Sequence, residues 1–251
     1  QKNLGEIDSL PPPSTSSSTL SSSLNMSSSS SSSSSFSSPN NLFLVIYGDS
    51  GTGKSAFYSR IFDQIFCNEK GGAWLNLHNR MLAHHICQVQ NSESLSPIRW
   101  ARGLAVQIFL AFSRVGKINQ ALEISGRKDV DAFANWIETE ESVRTIVKEY
   151  VIKLLKTVEN AVDLGGMDTI GIDSLDEALT LDVLDTKPTI VSYLLEFRTK
   201  WPSWIKCMAT SRPDPSTKEK LNPLTGSASI DVHDNKNLND VRDFVIHSLE
   251  R

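Results

Sequence analysis

The sequence has no long apolar segment and no excess of positive charge, and each lack excludes a class of protein. No apolar run approaches the roughly 20 residues that a membrane-spanning helix needs, and the longest strand-like run, Leu42 to Tyr47, is far shorter. Lys and Arg number 25 against 29 Asp and Glu, a net charge of -4, whereas nucleic-acid binders usually carry a basic face. We therefore expect neither a membrane nor a nucleic acid as a partner.

Cysteine is also scarce. Cys67, Cys87 and Cys207 are the three cysteines in 251 residues, and they are scattered and odd in number, unlike the paired cysteines of a secreted disulfide framework. This usage predicts reduced thiols in an intracellular, cytoplasmic protein. The chain opens on Gln1 and stops inside an apolar-periodic segment, so we expect a fragment of a longer protein.

The first 40 residues differ in composition from the rest. A Pro11 to Pro13 run is followed by a tract made almost wholly of Ser, up to Ser38-Pro39. Such a segment cannot bury enough apolar surface to offset its ordering entropy, so residues 1–40 are predicted to be a disordered linker. Residues 41–251 are predicted to form one folded domain.

Within 41–251, strand-like and helix-like segments alternate. This alternation predicts an α/β fold with a five-stranded parallel sheet, order 5-1-4-3-2, between helices on both faces. The strands are expected at Leu42–Tyr47, within Leu82–Gln90 around Ile86-Cys87, and at Met167–Asp173, Ile205–Thr210 and Ala228–Val232. Helices are expected to begin at Lys54, Ser96, Thr186 and near Asn239, with a long one over Val143–Val158. A break is expected at Gly71-Gly72, and a loop with a short helix over Val115–Asp131.

A phosphate-binding pattern follows the first strand. The pattern G-x-x-x-x-G-K-[ST] is matched at every fixed position by Gly48, Asp49, Ser50, Gly51, Thr52, Gly53, Lys54 and Ser55. Glycines let backbone N–H groups close around phosphate oxygens, and the helix N-terminus adds about half a positive charge. Lys54 would neutralise the outer phosphates, and the Ser55 hydroxyl would coordinate Mg²⁺. The strand before the loop and the amphipathic helix after it are the context that this chemistry requires.

Carboxylates close the third predicted strand. Asp173 ends it, and Asp176 and Glu177 follow. Ligands of open α/β sheets bind at the carboxyl ends of the strands, so Asp173 is expected to lie beside the phosphate loop and to hold Mg²⁺ with Ser55. Glu177, or less favourably Asp176, would orient and deprotonate an attacking water.

These motifs together resemble the STAND signal-transduction ATPases, and especially their NACHT branch. The resemblance rests on the Asp173-Ser174-Leu175-Asp176-Glu177 pattern and on a strand that ends in Thr210-Ser211-Arg212-Pro213. Weaker similarities, at His84–Gln88 and Asn237–Val241, point to animal members with ankyrin, tetratricopeptide or WD repeats. The resemblance implies a P-loop NTPase three-layer sandwich and an ATP-driven switch that is closed with ADP and self-associates with ATP. It also implies that Thr210 and Arg212 sense the γ-phosphate.

The function expected from the sequence is Mg²⁺-dependent ATP binding and slow hydrolysis, as a regulatory switch in an intracellular signalling or scaffold protein. Protein partners or self-association through flanking regions would accompany it. Three alternatives stay open: a nucleotide-binding scaffold without turnover, a small-molecule kinase, and a GTPase. Asn235-Lys236 begins a guanine-reading motif but lacks its aspartate.

Overall fold

Parallel strands form the centre of the domain. The computed structural model describes residues 43–63, 68–180, 188–224 and 227–229. Four strands pair in parallel in the order β2-β3-β4-β1, namely β1 (Phe43–Tyr47), β2 (Met81–Ile86), β3 (Thr169–Asp173) and β4 (Lys206–Ser211). A three-residue segment, β5 (Ser227–Ser229), pairs in parallel with the other side of β1. The predicted α/β class with a parallel sheet is confirmed.

Helices flank this sheet. They are α1 (Lys54–Phe62), α2 (Gly72–Arg80), α3 (Pro97–Arg114), α4 (Ile118–Ser125), α5 (Val130–Thr139), a π-helix (Thr145–Ile152) that continues into α6 (Lys153–Leu155), α7 (Leu175–Leu179), α8 (Ile190–Phe197) and α9 (Pro215–Leu221). Short 3-10 turns lie at Ser92–Leu95, Ala161–Leu164 and Asn222–Leu224. The predicted linker 1–40 and the predicted final helix near Asn239 lie outside the described residues.

The two faces of the sheet carry different layers because side chains alternate along a strand. On β1, Phe43, Val45 and Tyr47 enter the larger core cluster, which contains residues of α3, the π-helix, α7 and α8. Ile46 faces the opposite way, into a smaller cluster with Tyr58 of α1 and the partly buried Trp74 of α2. Helices therefore cover both faces.

Several predicted helices are confirmed, and one helix was not predicted. On α3 the expected apolar face is buried, with Ile98 packed against its margin. The short helix predicted within Val115–Asp131 is α4, whose Ala121 is fully buried, and α5 begins at the end of this segment. Gly71 interrupts the helical conformation, as predicted, and the unpredicted α2 begins at Gly72, with Trp74 and Leu77 packed against the smaller cluster.

Strand β2 also lies earlier than predicted. It ends at Ile86 rather than centring on Ile86-Cys87. Cys87 still donates its N–H to the Asp173 carbonyl at 3.0 Å, but beyond it the Ser94 hydroxyl binds both the N–H and the carbonyl of Gln88, at 2.8 and 3.0 Å. This local hydrogen bonding turns the chain away from the sheet.

A charged cluster closes the amino edge of the sheet. Asp168, 4% exposed, accepts hydrogen bonds from Arg80 Nε at 3.0 Å and from the Thr169 hydroxyl at 2.8 Å, and it forms an ion pair with Lys206 Nζ at 3.0 Å. Burial opposes the charged carboxylate, but the hydrogen bonds from Arg80, Thr169 and Lys206 outweigh it and hold the pKa of Asp168 below its ordinary value. The cluster joins the starts of β2, β3 and β4.

Replacing Gly171 in β3 is expected to destabilise the domain. A Cβ at this position would lie 2.5 Å from the Tyr58 hydroxyl and 2.7 Å from Met81 Cε, so Gly171→Ala overpacks the smaller cluster by about 1–3 kcal/mol in chemical denaturation. The matched control is Gly103→Ala in α3, where a Cβ meets nothing within 4 Å and helix propensity favours alanine by about 1 kcal/mol. Equal stability of the two variants would contradict this packing.

Removing the Asp168 charge is expected to change the acid sensitivity of folding. Because the folded-state pKa is depressed, the stabilisation is fully present above the unfolded-state pKa of about 3.9 and is lost as pH falls through the folded-state value. Asp168→Asn should cost about 1–3 kcal/mol at pH 7, and this difference should shrink below about pH 4. Denaturation of both proteins at pH 7 and 3 measures it, with the exposed Asp131→Asn as control. A difference that does not change with pH would refute the role of the charge.

Candidate functional site

The predicted site residues meet at the carboxyl edge of β1, β4 and β3. Tyr47 pairs with Ser211, and Ala209 pairs with Ile172, so these three strands end side by side. Gly48 N–H extends the pairing by donating to the Ser211 carbonyl at 3.2 Å. The phosphate-loop pattern, the carboxylates after β3 and Arg212 after β4 therefore emerge at one place.

The loop between β1 and α1 has the backbone that its glycines allow. Gly51 and Gly53 both have φ of +82°, a left-handed conformation that side chains disfavour. At Gly48 a larger residue has no room, because its Cβ would lie 2.6 Å from the Thr52 hydroxyl and 3.3 Å from Lys54 Cδ. Within the described residues, the N–H groups of Gly51 and Gly53 find no acceptor, and those of the first turn of α1 are the usual free donors of a helix start.

Lys54 folds back over this loop. Its Nζ donates to the Gly48 carbonyl at 2.5 Å and to the Asp49 carbonyl at 2.8 Å. Burial lowers the pKa of Lys54; the charge of Asp176 opposes that shift, Arg212 adds to it, and Asp173 and Asp49 oppose it. The ammonium thus lies in the field of the carboxylates that follow β3, and the predicted neighbourhood of Lys54 and Asp173 is observed.

Asp173 is fixed by a residue of the neighbouring strand. Its carboxylate is 3% exposed, and Oδ1 accepts a short hydrogen bond from the hydroxyl of Thr210. The same hydroxyl accepts from the Ser174 N–H at 2.9 Å. Ser174 has φ of +56°, the one positive φ of a non-glycine among the described residues, and this strained position costs about 1 kcal/mol or more. Thr210 therefore fixes the position of the Asp173 carboxylate and stabilises the sharp turn at Ser174.

Asp176 and Glu177 face Arg212. Asp176 Oδ1 accepts from the Arg212 N–H at 3.1 Å, and Oδ2 lies 3.3 Å from Arg212 Nε. Glu177 Oε1 is 3.9 Å from Arg212 Nη2, while its Oε2 accepts a short hydrogen bond from the Val89 N–H. Arg212 is otherwise open, with its side chain 56% exposed. The two carboxylates are thus held in different ways, one by an arginine and one by the loop after β2.

Cys87 lies next to these acids. It is 1% exposed, and burial, reinforced by the charges of Glu177, Asp173 and Asp176, raises its pKa to about 12. Cys87 and Cys207 are free thiols, whereas Cys67 is outside the described part of the chain.

The structure places every predicted site residue, and it adds partners that the sequence did not indicate. The Val89 amide and the Thr210–Asp173 bond arise only from tertiary contacts, and no local pattern signals either. Thr210 was predicted to sense a phosphate. Its side chain is fully buried and already bound to Asp173 and Ser174, so its observed contacts are those of a positioning residue.

Two further properties bear on ligands and surroundings. Over the described ranges, no group of three or more His, Cys, Asp or Glu side chains has the arrangement of a metal site. Within those ranges, no helix combines the length and the apolar character that crossing a bilayer requires.

The family model described as Nephrocystin 3, N-terminal matches residues 22–212. The chain belongs to the nephrocystin-3 N-terminal family. The match to this family takes in β1 to β4, the loop Gly48–Ser55, Asp173, Asp176 and Glu177, and it ends at Arg212. No curated protein and no solved structure matches the chain.

Substitution of Thr210 is expected to loosen the Asp173 turn. Thr210→Val keeps the shape but leaves the buried carboxylate and the Ser174 amide each without a partner, which should lower the free energy of unfolding by about 2 kcal/mol or more. Thr210→Ser keeps the hydroxyl and should cost about 1 kcal/mol for one methyl group. Thermal or urea unfolding compares them. If valine proves no worse than serine, the hydroxyl bridge does not hold this turn.

Proposed function

We propose that this domain binds Mg·ATP at the loop Gly48–Ser55 and hydrolyses it slowly, as a regulatory nucleotide switch of the NACHT-like P-loop NTPase type. The observation that carries the proposal is the conformation of this loop. Left-handed glycines and free amides lie at the start of α1, against the parallel strands that present Asp173 and Arg212.

The loop supplies what a triphosphate needs. Free N–H groups at a helix N-terminus favour an anion through their dipoles. Lys54 now satisfies its ammonium with the Gly48 and Asp49 carbonyls, so phosphate oxygens would replace these acceptors without unfolding the loop. Arg212, exposed and near enough to affect the pKa of Lys54, provides a second cation at the same edge. The free amides, Lys54 and Arg212 together suit a ligand that carries several negative charges.

Ser55 and Asp173 fit a magnesium ion in chemical type. Both offer hard oxygen atoms, Ser55 is exposed, and Asp173 Oδ2 accepts no hydrogen bond from the described residues. They would hold the ion together with phosphate oxygens, and bound Mg²⁺ would neutralise charge on the phosphates. Thr210 holds the orientation of the Asp173 carboxylate through its hydrogen bond to Oδ1.

Of the two candidate bases, Glu177 fits better than Asp176. Asp176 uses both oxygens on Arg212, one on the main chain and one on the side chain. Glu177 commits Oε2 to the Val89 amide, but Oε1 has only the longer 3.9 Å contact with Arg212 and can accept a proton from water. In this assignment Arg212 contacts the terminal phosphate, Asp176 positions Arg212, and Thr210 positions Asp173.

A nucleotide-binding scaffold without turnover is the second candidate. The same contacts of Glu177 favour it, because a carboxylate held by a backbone amide and facing an arginine is less free to move onto a water molecule. The two candidates share the phosphate loop and differ only in the chemistry at Glu177. Binding alone cannot separate them, whereas a single-turnover measurement can.

The test of the proposed function combines binding with turnover. Lys54→Ala should weaken Mg·ATP binding in calorimetry by about 100-fold or more, because charge-assisted hydrogen bonds to phosphate are lost. The exposed Lys156→Ala should bind as the parent does. Glu177→Gln should retain ATP and abolish its slow hydrolysis in a single-turnover assay.

Each result has a defined meaning. Wild-type affinity in Lys54→Ala would end the nucleotide-site proposal. Binding without any turnover in the parent chain would select the scaffold, and stronger binding of GTP than of ATP in competition would replace ATP as the ligand.

A further inference from the structure

Strand β2 is an open edge of the sheet. It is the last strand on its side in the described sheet, and its sequence Met-Leu-Ala-His-His-Ile contains none of the charged or proline residues that usually block such edges. An unprotected edge strand presents main-chain donors and acceptors that another extended chain can pair with.

One side chain already makes the main-chain hydrogen bonds that such a paired chain would make. Gln107 of α3 accepts the His84 N–H on Oε1 at 2.9 Å and donates Nε2 to the His84 carbonyl at 2.9 Å. These are the two hydrogen bonds that one residue of a neighbouring strand would make. Because His84 is exposed, water or another peptide can take them over with little cost to the fold.

A cleft runs along this edge between the two helical layers. Its volume is about 470 Å³, and its lining includes Phe62 and His78 on one side and Leu110 and Arg114 of α3 on the other. Apolar side chains are accessible here, because Leu110 in this lining is 48% exposed and Ile86, the last residue of β2, is 37% exposed. The groove therefore combines a main-chain template with apolar margins.

The charge of the groove selects its occupant. Arg114 lines it, and among the described residues no carboxylate lines it or forms an ion pair with Arg114. A second copy of this chain paired through the same edge would bring two such arginines near one another. An extended segment that alternates apolar and acidic residues would satisfy the strand, the apolar margins and the arginine together.

We propose that the β2 edge is a docking site for an extended acidic peptide segment of a partner protein, which adds a strand beside His84 and displaces the side chain of Gln107. This site is separate from the candidate nucleotide site and does not depend on its function.

The test uses a fluorescein-labelled peptide of alternating valine and glutamate, with the valine–lysine peptide as its matched control. Anisotropy with the full chain should show binding of the glutamate peptide only. Arg114→Glu should weaken it about tenfold, as expected for one lost charge pair, while favouring the lysine peptide. Lys128→Glu, an equal charge change at a side chain 85% exposed, should have no effect. Gln107→Ala should strengthen binding, because the competing side chain is gone.

Hydrogen exchange locates the contact, since the His84 amide should become more protected when the glutamate peptide binds. Failure of both peptides to bind, or binding that Arg114→Glu leaves unchanged, overturns the proposal. So does concentration-dependent dimerisation that Gln107→Ala enhances, which would assign the edge to a second copy. Full protection of the β2 edge in the free Gln107→Ala chain would assign it to a segment of the same chain.

Discussion

The position of β4 between β1 and β3 governs the arrangement of the whole carboxyl edge. Register along β4 places Ser211 beside Tyr47 and Ala209 beside Ile172, and the side chain of Thr210 then reaches Asp173. A slip of one residue would turn Thr210 to the other face of the sheet and remove that contact. The loop after β1, the turn after β3 and the arginine after β4 are therefore coupled through one strand rather than assembled independently.

The two ends of the sheet hold their charged side chains in different ways. At the amino end, Asp168 has all its capacity used by Arg80, Thr169 and Lys206, and the cluster ties three strands together. At the carboxyl end, the partners of Lys54 among the described residues are loop carbonyls and the Thr52 hydroxyl, and Arg212 faces two carboxylates. A phosphate group can compete with such partners. The same residue types thus serve stability at one edge and remain exchangeable at the other.

The sequence was sufficient for β1, β3 and β4, because continuous apolar runs and strand–helix alternation depend on local composition, but it placed β2 too late in the chain. It also identified the loop Gly48–Ser55 and the acids after β3, since glycine spacing and strand-end carboxylates are local patterns. It was not sufficient for α2, whose Trp74 and Leu77 pack against the same smaller cluster as residues of α1. The long helix was predicted only in part. Its apolar stripe at Val143, Val147, Val151 and Leu155 is buried as expected. The wider π turns of Thr145–Ile152 had no signal in the sequence. The Val89 and Thr210 contacts join segments far apart in the chain and could not be anticipated.

The position of Cys87 has a consequence for how the domain meets oxidants. Peroxide attacks the thiolate form of cysteine, and at neutral pH a thiol with a pKa of about 12 is almost wholly protonated. Its burial, with 1% of its surface exposed, adds a steric barrier. Among the described residues, the sulfur beside Asp173, Asp176 and Glu177 is therefore poorly reactive toward peroxide.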